Sequence, residues 1–126
     1  MSNEEFRILM VEDNDVYRNL LENILQRSFP KIAIDEATNG REALEKVDAF
    51  LPDIIFMDIR LPGENGLELT KKIKGTHPNI IIFVITFYDM PEYRQAAFQC
   101  GADRFLSKAS LNPMEIEELV TSYLKV

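Results

Sequence analysis

The chain has 126 residues, 46% hydrophobic and 28% charged, which gives one folded domain over residues 1–126 enough apolar mass for a core and excludes disorder. Its net charge of −7 excludes a segment that grips nucleic acid or anionic lipid by charge alone. The single cysteine, Cys100, cannot form an intramolecular disulfide, and the longest apolar run, Ile80–Ile85, is far short of the ~20 residues a membrane helix needs, so a cytoplasmic protein without membrane contact is expected.

The run 6–11 (FRILMV) reads as a strand. A helix follows over 14–29, with Val16, Leu20 and Ile24 at four-residue spacing and Leu21 and Leu25 beside them. A second strand is expected over 32–37. The next helix, over 40–51, carries Ala43, Leu44, Val47 and Leu51 on one stripe. The third strand, 54–58, runs straight into Asp58, and Pro62, Gly63 and Gly66 then break the chain. Leu69 and Ile73 mark a helix over 65–75 that Gly75 is placed to stop. The strand over 80–85 is wholly apolar. Tyr93, Ala96, Ala97 and Cys100 align on a helix over 90–102, with Pro91 in its first turn and Gly101 near its end. A short strand, 103–106, precedes a last helix over 112–126, faced by Ile116, Leu119, Val120, Tyr123 and Leu124. Asn112 and Glu115 have the spacing of a reciprocal cap at its start.

Strand and helix alternate five times, and the first, third and fourth strands are apolar on both faces. That pattern predicts an α/β protein: a doubly wound five-stranded parallel sheet, (βα)5, in a three-layer α/β/α sandwich of the flavodoxin-like kind. Such sheets bind ligands outside the carboxyl ends of their strands. The residues there are Glu12 and Asp13 after the first strand, Asp58 at the end of the third, Thr86 after the fourth and Lys108 just past the fifth. Each alone reads as an ordinary loop acid, turn hydroxyl or solvated charge. Their placement on one rim is what points to chemistry. Three crowded carboxylates repel each other, a hard divalent cation such as Mg2+ removes that cost, and a lysine beside it suits a phosphoryl oxygen. A carboxylate can itself be the nucleophile that becomes an aspartyl phosphate.

The segments VEDND, MDIRLPGENGLEL, VIT and GADRFLSK, in this order and spacing, resemble the response-regulator receiver (CheY-like) family over essentially the whole chain. The resemblance implies that Asp58 accepts a phosphoryl group from a sensor histidine kinase, a phosphotransfer protein or a small acyl phosphate. It implies Mg2+ held by Asp13, Asp58, the backbone carbonyl of Arg60 and, through water, Glu12. Lys108 would pair with the acceptor and then with the phosphoryl group. Thr86 would move to bond a phosphoryl oxygen, and the ring of Phe105 would follow. The implied role is a switch in a two-component system that changes a surface for dimerisation or output. It catalyses only its own phosphorylation and dephosphorylation and is not a metabolic enzyme. The stretch FLSKASLNPMEIEELV looks most like receivers attached to a helix-turn-helix output half, so DNA binding would belong to a further segment.

Two positions depart from the family pattern: Phe87 stands where a small residue follows the switch hydroxyl, and Ala109 stands where Pro commonly follows the lysine. A ring at 87 would shield the phosphoryl group from water or hinder its donor, and it keeps open a second reading, a receiver fold that works as an interaction module without phosphate. Arg60 and Tyr88 stand at positions that tune phosphate lifetime in the family, or are plain surface residues. Phe98, Leu111 and Tyr123 are the candidate contacts of the switch surface. His77, the one histidine, sits in a loop at the far end of the sheet and reads as a surface residue; Cys100 reads as core. An enzyme of related fold is disfavoured because VEDNDV lacks a glycine-rich phosphate loop and DIR lacks a second aspartate.

Overall fold

The computed structural model describes residues 6–124; Lys125 and Val126, expected in the last helix, lie outside the described residues. Seven strands and five helices follow in the order β1 (Arg7–Val11), α1 (Asp15–Ser28), β2 (Ala33–Ala37), α2 (Gly40–Phe50), β3 (Ile54–Met57), β4 (Arg60–Leu61), β5 (Glu64–Asn65), α3 (Gly66–Thr76), β6 (Ile81–Thr86), α4 (Pro91–Gln99), β7 (Arg104–Ser107) and α5 (Pro113–Leu124). Five strands make one parallel sheet in the order β2-β1-β3-β6-β7. The order reverses between β1 and β3, which is where an open parallel sheet leaves a crevice.

Strand residues alternate between two cores. Ile8, Met10, Ile54, Phe56, Phe83 and Ile85 face α1 and α5, which contribute Leu21, Leu25, Ile116 and Val120. Leu9, Val11, Ile55, Met57, Ile82 and Val84 face the other side, against Ala43 and Val47 of α2, Leu69 and Ile73 of α3, and Ala97 of α4. The central strands are buried on both faces, as their continuous apolar runs predict.

Four of the five helices start on an asparagine. The side-chain oxygens of Asn14, Asn39, Asn65 and Asn112 accept from the backbone N–H of Tyr17, Glu42, Leu67 and Glu115 at 2.9, 2.9, 2.7 and 2.9 Å. Each such cap contributes about 1 kcal/mol and fixes the loop leaving a strand end. At α5 the cap is reciprocal, since Asn112 N–H donates to Glu115 Oε1 at 3.2 Å.

Four local expectations are corrected. In α1 the buried row is Leu21 and Leu25, continued by the half-buried Tyr17, whereas Val16 is 79% and Leu20 53% exposed. In α2, Leu51 leaves the stripe: it is the helix cap, at φ 51°, and is exposed. Gly75 lies inside α3, and the helix runs on to Thr76. Leu111 and Tyr123 are half-buried against the α1/α5 core, with Tyr123 edge-on to Phe83 at 5.3 Å; of the three candidate contact residues only Phe98 is exposed.

Candidate functional site

The rim residues are placed by backbone. The Asp58 N–H donates to Val11 O at 3.0 Å and the Glu12 N–H to Ala37 O at 2.9 Å, so the ladder runs one residue past the ends of β1 and β3 and sets the two acids side by side. On the other side of β3, Thr86 ends β6 opposite Ser107, and the Lys108 N–H donates to Thr86 O at 2.9 Å. The tight loop after Asp58 is a two-residue hairpin, β4 with β5, turned by Pro62 and by Gly63 at φ 68°. Gly66 then lets α3 begin against the acid: a Cβ there would fall on the Asp58 carbonyl oxygen.

The side chains converge. Lys108 Nζ lies 2.6 Å from Glu12 Oε1 and 3.2 Å from Asp58 Oδ2, with the three side chains only 3%, 4% and 9% exposed. Only the Asp58 contact has hydrogen-bond alignment, so Glu12 Oε1 is buried beside the ammonium without an aligned donor. Glu12, Asp13 and Asp58 each offer a carboxylate oxygen within 4.8 Å of the others, and Asp13 is exposed at the mouth. Burial, and secondarily the charge of Asp58, push Glu12 up to about 7 against the pull of Lys108. Three acids served by one amine, with one buried oxygen unaligned, fit a hard divalent cation.

The other expected residues are placed as follows. Thr86 is buried, and its Oγ1 accepts from Tyr88 N–H at 3.1 Å. The Arg60 side chain turns outward onto the Tyr88 ring, 4.7 Å from its centroid. Phe105 is buried in the α4 core beneath the Arg94 guanidinium, at 4.9 Å. Phe87 is 58% exposed and leans over Lys108 Nζ at 5.2 Å. His77 caps the far end of α3, 3.5 Å from Asp48 Oδ1 and away from the acids.

Two neighbours were not singled out from the sequence. Tyr17 stands 4.6 Å from Lys108 Nζ; its only signal was its place one turn before Leu21 on the buried row. Arg18 Nη1 donates to the Glu12 carbonyl at 2.8 Å, while its other nitrogens meet Asp15 and Glu36, which pins the acid-bearing loop. Nothing in the sequence separates Arg18 from any solvated helix cation.

The Glu12 shift fixes a pH dependence. Its folded pKa of about 7 lies above the ordinary 4.5, so the native state holds the proton more tightly. Its stabilising contribution is complete below 4.5 and is lost as pH rises through about 7. Urea unfolding without divalent cation should show stability falling across that window. Added Mg2+ should recover it at the upper end, and a flat profile would contradict the assignment.

Known proteins share this sequence pattern and this fold. The family described as response regulator receiver domain matches residues 8–122. The chemotaxis protein CheY of Halobacterium salinarum is 35% identical over 113 residues, covering 90% of this chain and 92% of that protein. The response regulator GacA of Pseudomonas viridiflava is 30% identical over 82% of this chain, and the match spans only 49% of that protein. Among solved structures, the signal receiver domain of the DNA binding response regulator protein (merR) from Colwellia psychrerythraea 34H superposes with a TM-score of 0.91 at 25% identity, covering 97% of this chain and all of that one. Among the described residues, no helix is long and apolar enough to cross a membrane. With the parallel sheet, the rim of acids and amine, and the sequence match in agreement, the chain belongs to the response regulator receiver domain family, whose members are the phosphorylation-dependent switches of two-component signalling.

Proposed function

We propose that Asp58 is the phosphoacceptor and that residues 1–126 act as one cytoplasmic receiver unit. The observation that carries this reading is the Lys108 amine, held 3.2 Å from Asp58 on a rigid strand end beside two further carboxylates. Asp58 Oδ attacks the phosphorus of a phosphohistidine on a sensor kinase or phosphotransfer protein. The P–N bond breaks, the imidazole leaves with a proton, and an acyl phosphate forms. Glu12, Asp13, Asp58 and the Arg60 carbonyl would hold Mg2+, which when bound neutralises charge on the acids and the phosphoryl oxygens. Lys108 moves from sharing two carboxylates to pairing with the new oxygens. Thr86 gives up its contact with the Tyr88 N–H to donate to one of them, and Phe105 repacks beside it.

The switch surface is the groove of about 480 Å³ bordered by Arg94, Phe105, Leu111 and Leu119, between α4, β7 and α5. It serves dimerisation or an output half. Support for an output half comes from GacA, which is about twice the length matched here, and from the solved neighbour described as DNA binding.

The test is chemical. After incubation with acetyl phosphate and Mg2+, borohydride should reduce the acyl phosphate and leave homoserine at position 58, located by peptide mass. No adduct, or an adduct at another carboxylate, would overturn the assignment.

A further inference from the structure

Phe87 and Tyr17 come from different elements, one from the loop after β6 and one from the first turn of α1. Their rings meet edge to face at 6.1 Å, with planes 70° apart. Both stand over the same ammonium, at 5.2 and 4.6 Å. The Lys108 side chain is 3% exposed although it lies at the rim of the sheet, while Phe87 above it is 58% exposed. Beneath Tyr17 a narrow cavity of about 170 Å³, lined by Leu20, Leu21, Ile24, Leu111 and Lys108 itself, runs between α1 and the start of α5. Truncating Tyr17 would join that cavity to the mouth of the site. An exposed ring costs something to hold at a surface, and a cation beneath two ring faces returns it through cation–π attraction.

We infer that Tyr17 and Phe87 act together as a two-ring hood over Lys108 that slows the loss of the phosphoryl group from Asp58 to water. The inference rests on Asp58 being the phosphoacceptor. In the reaction it opposes, a water oxygen bonds to phosphorus and the P–O bond to Asp58 breaks. The carboxylate is regenerated, and inorganic phosphate leaves carrying both protons of the water. The hood is a positioning device: it touches the amine, covers the Lys108 side of the phosphoryl group, and takes no part in bond making. Neither ring is effective alone, because each closes a gap left by the other.

The experiment loads the full chain with acetyl phosphate and Mg2+, removes both, restores Mg2+ and follows the adduct by intact mass. Phe87→Ala and Tyr17→Ala should each lose it roughly tenfold faster, equivalent to about 1.4 kcal/mol off the barrier. The double variant should be no faster than the faster single variant, and the conservative Tyr17→Phe should rescue the slow decay. Urea midpoints and Mg2+ affinity separate a hood from a folding defect; should Tyr17→Ala unfold, Phe87→Ala and Phe87→Leu decide the question on an exposed residue. Normal loading with wild-type decay in the alanine variants, or additive effects of the two, overturns the hood and leaves the phosphoacceptor standing. Failure of the wild type to load at all overturns the phosphoacceptor and the hood with it.

Discussion

Asp58→Asn is expected to abolish phosphoryl uptake completely while leaving a folded protein. The amide has the shape of the carboxylate, and its oxygen can still accept from Lys108, which keeps Glu12 at 2.6 Å as its second partner. What is lost is the nucleophile, because a neutral amide oxygen does not form a stable phosphoryl ester under these conditions. The neighbouring acids are not placed to substitute: Glu12 is almost wholly buried, and Asp13 is exposed at the mouth of the site. The substitution also removes one of the charges that push Glu12 upward, so the Glu12 carboxyl should titrate lower than in the wild type. Intact mass after incubation with acetyl phosphate and Mg2+ reads the first effect, and carboxyl carbon chemical shifts against pH read the second. A persisting adduct would mean that another side chain is the acceptor.

Lys108→Met should produce the largest loss of stability at the site. Methionine nearly matches the length of the lysine stem but brings no charge, so Glu12 and Asp58 would stand buried together with nothing between them. Removing one member of a buried ionic cluster costs about 3–5 kcal/mol, because it strands the charges left behind. The cost should be largest above pH 7, where Glu12 is ionised. It should shrink as pH falls and Glu12 takes up a proton, which it does more readily in the variant because the downward pull of Lys108 is gone. Mg2+ should recover much of the difference, since it replaces the missing positive charge. Urea midpoints for wild type and variant, above pH 7 and well below it and with and without Mg2+, test the claim. A variant as stable as wild type in Mg2+-free buffer above pH 7 would show that the amine does not neutralise the acids.

The sequence carried the sheet because burial on both faces writes itself as unbroken apolar runs, and it carried the rim because residues just past such runs land on one edge. Ile54–Met57 and Ile81–Thr86 are instances: the first stops one residue short of its expected span, and the second is its expected span moved along by one residue. Three kinds of information were not readable. A two-residue strand such as Arg60–Leu61 is shorter than any period that could reveal it. On α1 two adjacent rows, through Leu20 and through Leu21, are equally apolar, and only the docking of the helix on the sheet decides that Leu21 goes inward. The approach of Tyr17 to Lys108 joins residues 91 positions apart through side-chain reach, which no local pattern encodes. Asp58 and Lys108 are 50 positions apart, yet are legible together because strand ends, unlike ring positions, are fixed by topology.

The absence of a side chain at Gly66 has a mechanical consequence. The first turn of α3 rests directly on the backbone of the acid-bearing strand end, with no rotatable group in between to absorb a displacement. Any shift of the chain at Asp58 must therefore either be refused or carried whole into the axis of that helix. The joint behaves as a stiff coupling rather than a cushion, and a designer seeking to alter the timing of this protein would do best to leave it untouched.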